Sequence, residues 1–141
     1  MSFRTAPLAV PSDPRVKEGL CTAEIAADRF ASVEALQRRY GGSVVLKGAG
    51  SLIASDGPGP LALCSAGNPG MASGGMGDVL SGVIAGLLAQ GLTLDEAAEC
   101  GVCLHAAAGD TAARDGERGL VASDLIDALR ALADPGRGSA R

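Results

Sequence analysis

The residues best suited to chemistry lie in one run, Asn68-Pro69-Gly70-Met71-Ala72-Ser73-Gly74-Gly75-Met76-Gly77-Asp78. Glycines remove the Cβ atoms that keep a ligand from the main chain. A helix starting just after them turns its first N–H donors and a partial positive charge toward the loop. Turn amides at Gly74, Gly75 and Gly77 would form an anion nest, and phosphate is its natural guest. The plainer role for these glycines is a tight turn and close helix packing. Asp78 favours the chemical role. A carboxylate beside a bound phosphate repels it unless it has a task, such as orienting or deprotonating a hydroxyl that takes part in phosphoryl transfer. Pairing with the helix N-terminus is the alternative, and positioning would be the main contribution of such a group. No Gly-Lys-Ser/Thr follows, as a Walker A loop requires, and the order Gly-x-Gly-x-x-Gly of a dinucleotide fingerprint is missing.

A second segment, Lys47-Gly48-Ala49-Gly50-Ser51, delivers a lysine from a strand end into a glycine-rich turn. Strand ends are where α/β sheets bind ligands, so Lys47 could reach a phosphate while the exposed amides take the rest. A solvated lysine in a hairpin connection is the bland reading. Cys100 and Cys103 have redox or zinc spacing, but there is no second pair and His105 is the only histidine. They read as two small buried residues on an Ala-rich helix, and His105 as structural. No metal ligands are assigned.

The elements that must position these groups follow from pattern. Ile25, Ala26, Phe30, Val33 and Leu36 recur at helical spacing, which predicts one helix from an N-cap at Thr22 to about Arg39, stopped by Gly41-Gly42. Strands are expected at Ser43 to Leu46, Ser51 to Ala54 and Leu61 to Cys64, the last two flanking a breaker cluster that suits a hairpin loop. Apolar helical runs follow. One covers Asp78 to Gln90 and is closed by Gly91; the next opens with the Thr93-Leu94-Asp95-Glu96 capping box and reaches about Arg114; the last starts at Ser123-Asp124 and ends near Leu132. The order is that of an α/β domain, yet three strands make a thin sheet for four helices.

Composition bounds the partners. In 141 residues, 26 Ala and 21 Gly leave little bulky side chain, so close backbone approach must supply much of the packing. Sixteen acidic against twelve basic residues give a net charge of −4, which offers no footprint for nucleic acid. The most apolar stretch, Val79 to Ala89, is too short to span a membrane, and no signal peptide is apparent at the start. Four unevenly spaced cysteines suit a reducing, cytoplasmic setting.

The run Val44 to Ser51, the loop Gly67 to Asp78, and Gly119-Leu120-Val121-Ala122-Ser123-Asp124-Leu125 stand in one order. Together they resemble the ADP-dependent NAD(P)H-hydrate dehydratases, a ribokinase-like family, over roughly Thr22 to Ala133. The resemblance implies a three-layer α/β fold of which this chain carries the C-terminal part. It implies that ADP, or ATP, phosphorylates the hydrated ring of (S)-NADHX or (S)-NADPHX, so that AMP, phosphate and NADH or NADPH are released, with Mg2+ in attendance. By matching position, Lys47, Gly48, Ala49, Gly50, Ser51 and Gly77 would bind the nucleotide. Asp78 would meet the hydrate hydroxyl, with Asn68 beside the substrate.

The family pattern is not complete here. Its Pro-His-x-Gly-Glu segment before the first helix is replaced by Val10-Pro11-Ser12-Asp13-Pro14-Arg15-Val16-Lys17-Glu18, without histidine. The expected organisation is an extended start over 1–21, the family segment over 22–133 and a flexible tail over 134–141. A homo-oligomer or a complementing N-terminal half would then complete the cleft. Two alternatives stand: a nucleotide-binding or oligomerising piece without turnover, and another ribokinase-like small-molecule kinase.

Overall fold

The computed structural model describes residues 22–56 and 59–134; the expected extended start, and the tail beyond Asp134, lie outside the described residues. The described residues begin with two helices where periodicity predicts one, α1 (Thr22–Ala27) and α2 (Arg29–Tyr40). Asp28 causes the break. Its backbone is extended, at φ −147° and ψ 91°, and its carboxylate accepts from the Ala31 amide at 2.9 Å, which makes it the N-cap of a second helix rather than an interior residue of one.

Three short strands follow, β1 (Val44–Leu46), β2 (Ser51–Ala54) and β3 (Ala62–Cys64). They form one antiparallel sheet in the order β1-β2-β3, with Val45 opposite Ile53 and Ile53 opposite Ala62. Strand alternation sorts their side chains onto two faces. Val44, Leu46, Leu52, Ala54 and Leu61 form a cluster with Val33 of α2. Val45, Ile53, Ala62 and Cys64 turn the other way, onto residues of the later helices. The sheet is thus the middle of three layers.

Those later helices are α3 (Met76–Ala89), α4 (Leu94–Ala112) and α5 (Ala122–Ala133). α3 begins two residues before the sequence pattern suggests, because Gly75 enters the left-handed region at φ 83° and turns the chain into the helix. Thr93 and Glu96 form the expected reciprocal cap at the start of α4: the Thr93 hydroxyl accepts from the Glu96 amide at 3.3 Å and the Glu96 carboxylate accepts from the Thr93 amide at 2.9 Å. These bonds hold the Glu96 carboxyl below its usual range. At α5, the Asp124 carboxylate accepts from the Val121 amide at 2.9 Å.

α4 is the hub. Ala98, Val102 and Ala106 face the sheet side with Ile53, Cys64 and Leu80, while Ala108 joins Met76, Leu120, Leu125 and Ala128 in a second cluster against α5. Small residues allow this double use. A Cβ on Gly101 would lie 2.7 Å from Ile84, so α3 and α4 approach as closely as they do only because that position is glycine. Cys100 and Cys103 do not take part. Both residues are exposed, contrary to the expectation of two buried thiols, because the buried stripe of α4 runs through 97, 98, 101, 102 and 105 and does not include them, although the Cys103 thiol still meets that of Cys64 in β3. No helix among the described residues is long and apolar enough to cross a membrane.

Candidate functional site: a cleft between two glycine-rich segments

The β1–β2 hairpin turn and the loop after β3 face each other across a cavity of about 550 Å3. One wall is Lys47, Gly48, Ala49, Gly50 and Ser51; the other is Ser65, Ala66, Gly67, Asn68, Pro69, Met71 and Ala72; Leu80, Val102, His105 and Ala106 form the floor. Two segments that the sequence offers separately therefore meet in one place. A hairpin turn, a glycine-rich loop and a mostly apolar floor with few polar groups match the usual build of a small-molecule site.

Each wall is held by a charged side chain from a helix. Arg29, the first residue of α2, donates to the Ala49, Gly50 and Leu46 carbonyls at 2.7, 2.8 and 3.3 Å. Asp110, near the end of α4, accepts from the Gly67 amide at 3.1 Å and from Asn68 Nδ2 at 3.0 Å. Sequence reading missed both. Neither lies in a glycine-rich motif, and their partners are mainly main-chain atoms 17 to 43 residues away, which leave no local pattern.

The loop is fixed from below as well. Pro69–Met71 make a single 3-10 turn in which the Met71 and Ala72 amides donate to the Asn68 and Pro69 carbonyls, both at 3.1 Å. Met71 lies against Gly109 of α4, where a Cβ would overlap its side chain, and Gly70 lies against the Glu117 carbonyl with no room for one. Glycines in this loop therefore serve packing as well as any ligand.

The start of α3 borders the cleft. Gly75 is the N-cap, so the Met76 and Gly77 amides lack acceptors within the helix. A Cβ on Gly77 would stand 3.6 Å from Lys47 Nζ, which places the ammonium group over the first turn of the helix. His105 is buried, and its Nε2 lies 2.9 Å from the Met76 carbonyl oxygen. A carbonyl can only accept, so Nε2 carries the proton and Nδ1 is left as an acceptor. Burial, aided by the nearby Lys47 charge, lowers the His105 pKa below its ordinary value, opposed by that hydrogen bond.

The structure thus brings Lys47 to Ser51 and Asn68 to the cavity wall, and Gly77 to the Lys47 ammonium group. Gly74, Gly75, Gly77 and Asp78 all stand outside the cavity lining, at the entrance to α3, and Asp78 is exposed. Among the described residues, no three His, Cys, Asp or Glu side chains gather into a group able to hold a metal ion.

The profile of the NAD(P)H-hydrate dehydratase family matches residues 14–131. A bifunctional NAD(P)H-hydrate repair enzyme of Vibrio cholerae is 57% identical over 110 residues, 77% of this chain and 22% of that protein. An ADP-dependent (S)-NAD(P)H-hydrate dehydratase of Neisseria meningitidis is 40% identical, over 81% of this chain and 39% of its own length. Among solved structures, the ADP/ATP-dependent NAD(P)H-hydrate dehydratase from Bacillus subtilis, co-crystallised with ATP and Mg2+, superposes with a TM-score of 0.71 at 29% identity, covering 78% of this chain and 40% of that one. A ribokinase-like protein of Enterococcus faecalis matches with a TM-score of 0.67 at 33% identity over 77% of this chain. The chain therefore spans well under half the length of these relatives.

Proposed function

The chain belongs to the NAD(P)H-hydrate dehydratase family, and from that membership we propose that its cleft binds the phosphates of ADP for the dehydration of (S)-NADHX or (S)-NADPHX. The observation that carries this reading is the Lys47 ammonium group over the first turn of α3, close to the Gly77 backbone. A cation and unpartnered helix amides then act on one anion. In the proposed reaction the hydrate hydroxyl takes a phosphoryl group from the nucleotide. Phosphate then leaves with the electrons of the C–O bond, the neighbouring ring carbon gives up a proton to solvent so that the ring double bond forms, and AMP and the reduced dinucleotide are released.

This chain's residues would bind and orient. Lys47 offsets phosphate charge, and the amides of the Lys47–Ser51 turn and of Gly77 donate to phosphate oxygens. Asp78, one residue beyond Gly77, accepts from the hydrate hydroxyl and aims its oxygen at the phosphorus. Asn68, held by Asp110, borders the substrate. ATP could replace ADP, since the additional phosphate needs only the same donors. Mg2+ would arrive on the nucleotide, because it is usually held by phosphates and one or two carboxylates rather than by a protein cage. A cytoplasmic, thiol-reducing setting fits the free Cys64, Cys100 and Cys103.

A second reading is favoured by Asp78 standing outside the cavity lining in a chain that covers about 40% of a solved dehydratase. Here the chain binds nucleotide but turns over only when a complementing segment or a second copy completes the substrate side. One assay separates the two. The chain is incubated with ADP, Mg2+ and NADHX while NADH absorbance is followed. Recovery of absorbance that is lost in Asp78→Asn supports the enzyme, while ADP binding without recovery selects the second reading. Neither binding nor recovery overturns both.

A further inference from the structure

Arg29 sits at the start of α2, placed there by the Asp28 cap, and its three hydrogen bonds all go to carbonyls of the segment 46–50. Two glycines in that segment, Gly48 at φ 154° and Gly50 at φ 72°, have backbone conformations that other residues rarely adopt. Such a turn is inherently mobile, since glycine peptides rotate with little steric resistance. A Cβ on Gly48 would stand 2.7 Å from Arg29 Nη2 and 3.1 Å from Cζ, so the Gly48 backbone rests directly on the guanidinium group. Arginine suits this task. Its planar fork presents several donors in fixed directions, which a lysine ammonium group cannot reproduce.

The consequence lies on the other side of the turn. In a trans peptide the C=O and N–H vectors point in opposite directions, and this chain has no cis peptide bond among the described residues. Gathering the Ala49 and Gly50 carbonyls on a cation therefore points the Gly50 and Ser51 amides away from it, and both residues line the cavity. The same carbonyls, if free to rotate inward, would repel a phosphate. We propose that Arg29 is a positioning residue that locks the Lys47–Ser51 turn with its amides, not its carbonyls, toward a nucleoside diphosphate. The proposal rests on the nucleotide reading of the cleft and adds to it the residue that preorganises one wall.

The test uses the whole chain and two readouts, 15N order parameters of Gly48, Ala49 and Gly50 without ligand, and ADP affinity by calorimetry. Arg29→Gln is expected to lower the order parameters of that turn, leave those of α3 and α4 unchanged, and weaken ADP binding about tenfold. Arg29→Lys is expected to fall between the two on both readouts, and it carries the test if Arg29→Gln fails to fold. Unchanged order in the turn overturns the proposal. So does a loosened turn that binds ADP with unaltered affinity, and that result leaves the nucleotide reading standing. Absence of ADP binding by the unaltered chain overturns the nucleotide reading itself, and is seen before any variant is made.

Discussion

Lys47 Nζ lies 3.6 Å from the position a Cβ would take on Gly77, although the two residues belong to different layers of the fold. This approach joins the hairpin turn to the start of α3. A methyl group at 77 makes only ordinary contact with the lysine, and the position is helical, so Gly77→Ala should keep or slightly raise the melting temperature. The methyl group nonetheless occupies the space where phosphate would bridge the ammonium group and the helix amides. ADP affinity should fall about tenfold or more. A titration of the variant beside its melting curve checks both halves of this statement.

Asp110 is expected to matter more for the loop than for global stability. Its two bonds are solvent-exposed, so Asp110→Ala should cost only about 1 kcal/mol in urea unfolding. It frees Gly67 and Asn68 together. Proteolytic nicking between residues 65 and 75 should therefore speed up in the variant well beyond what the loss of global stability accounts for, and mass spectrometry of the fragments would show it.

The contact between Met71 and Gly109 predicts a non-additive pair. Gly109→Ala forces the methionine off its seat and should destabilise the chain by about 1–3 kcal/mol. Met71→Ala removes packing but also relieves that overlap, so the double variant should lose less than the sum of the single ones. Urea unfolding of all four proteins gives the coupling energy, and strict additivity would rule out the overlap.

His105 makes the stability fall as pH drops below 6.5. Burial holds its folded pKa below the ordinary 6.5, so between the two values the unfolded chain binds more protons than the folded one. Its contribution is fully present above pH 6.5 and is lost as pH falls toward the lowered folded value. Carboxylates such as Glu96 contribute in the acid range too, so the informative quantity is the difference between parent and His105→Gln. Urea unfolding at several pH values should show the parent losing stability below pH 6.5 more steeply than the variant.

The fold was largely legible from local chemistry. A β-branched run after Gly41-Gly42 marks β1, the Gly- and Pro-rich breaker cluster between Ala54 and Leu61 marks β2 and β3, and the Thr93–Glu96 reciprocal cap marks α4 in four residues. Asp28 was not legible, because it sits inside an apolar helical period and only the geometry shows its carboxylate capping Ala31. The two glycine-rich segments could be read as candidate sites, but their meeting in one cleft depends on the β1–β2 hairpin and on α4 beneath it. Arg29 and Asp110 lay beyond reach. A side chain that bonds to distant main-chain atoms places no constraint on the identity of its partners, so no pattern records it. Asp78 is the reverse case: its type and position suggest chemistry, while the cavity wall stops short of it.

Calorimetric titration of the whole chain with ADP in the presence of Mg2+, repeated on Lys47→Ala, tests the central claim most directly. One binding event is predicted, weakened about tenfold to a hundredfold by loss of the ammonium group and its charge-assisted bonds to phosphate. No heat of binding, or equal affinity in Lys47→Ala of unchanged fold, would contradict the assignment of this cleft to a nucleotide.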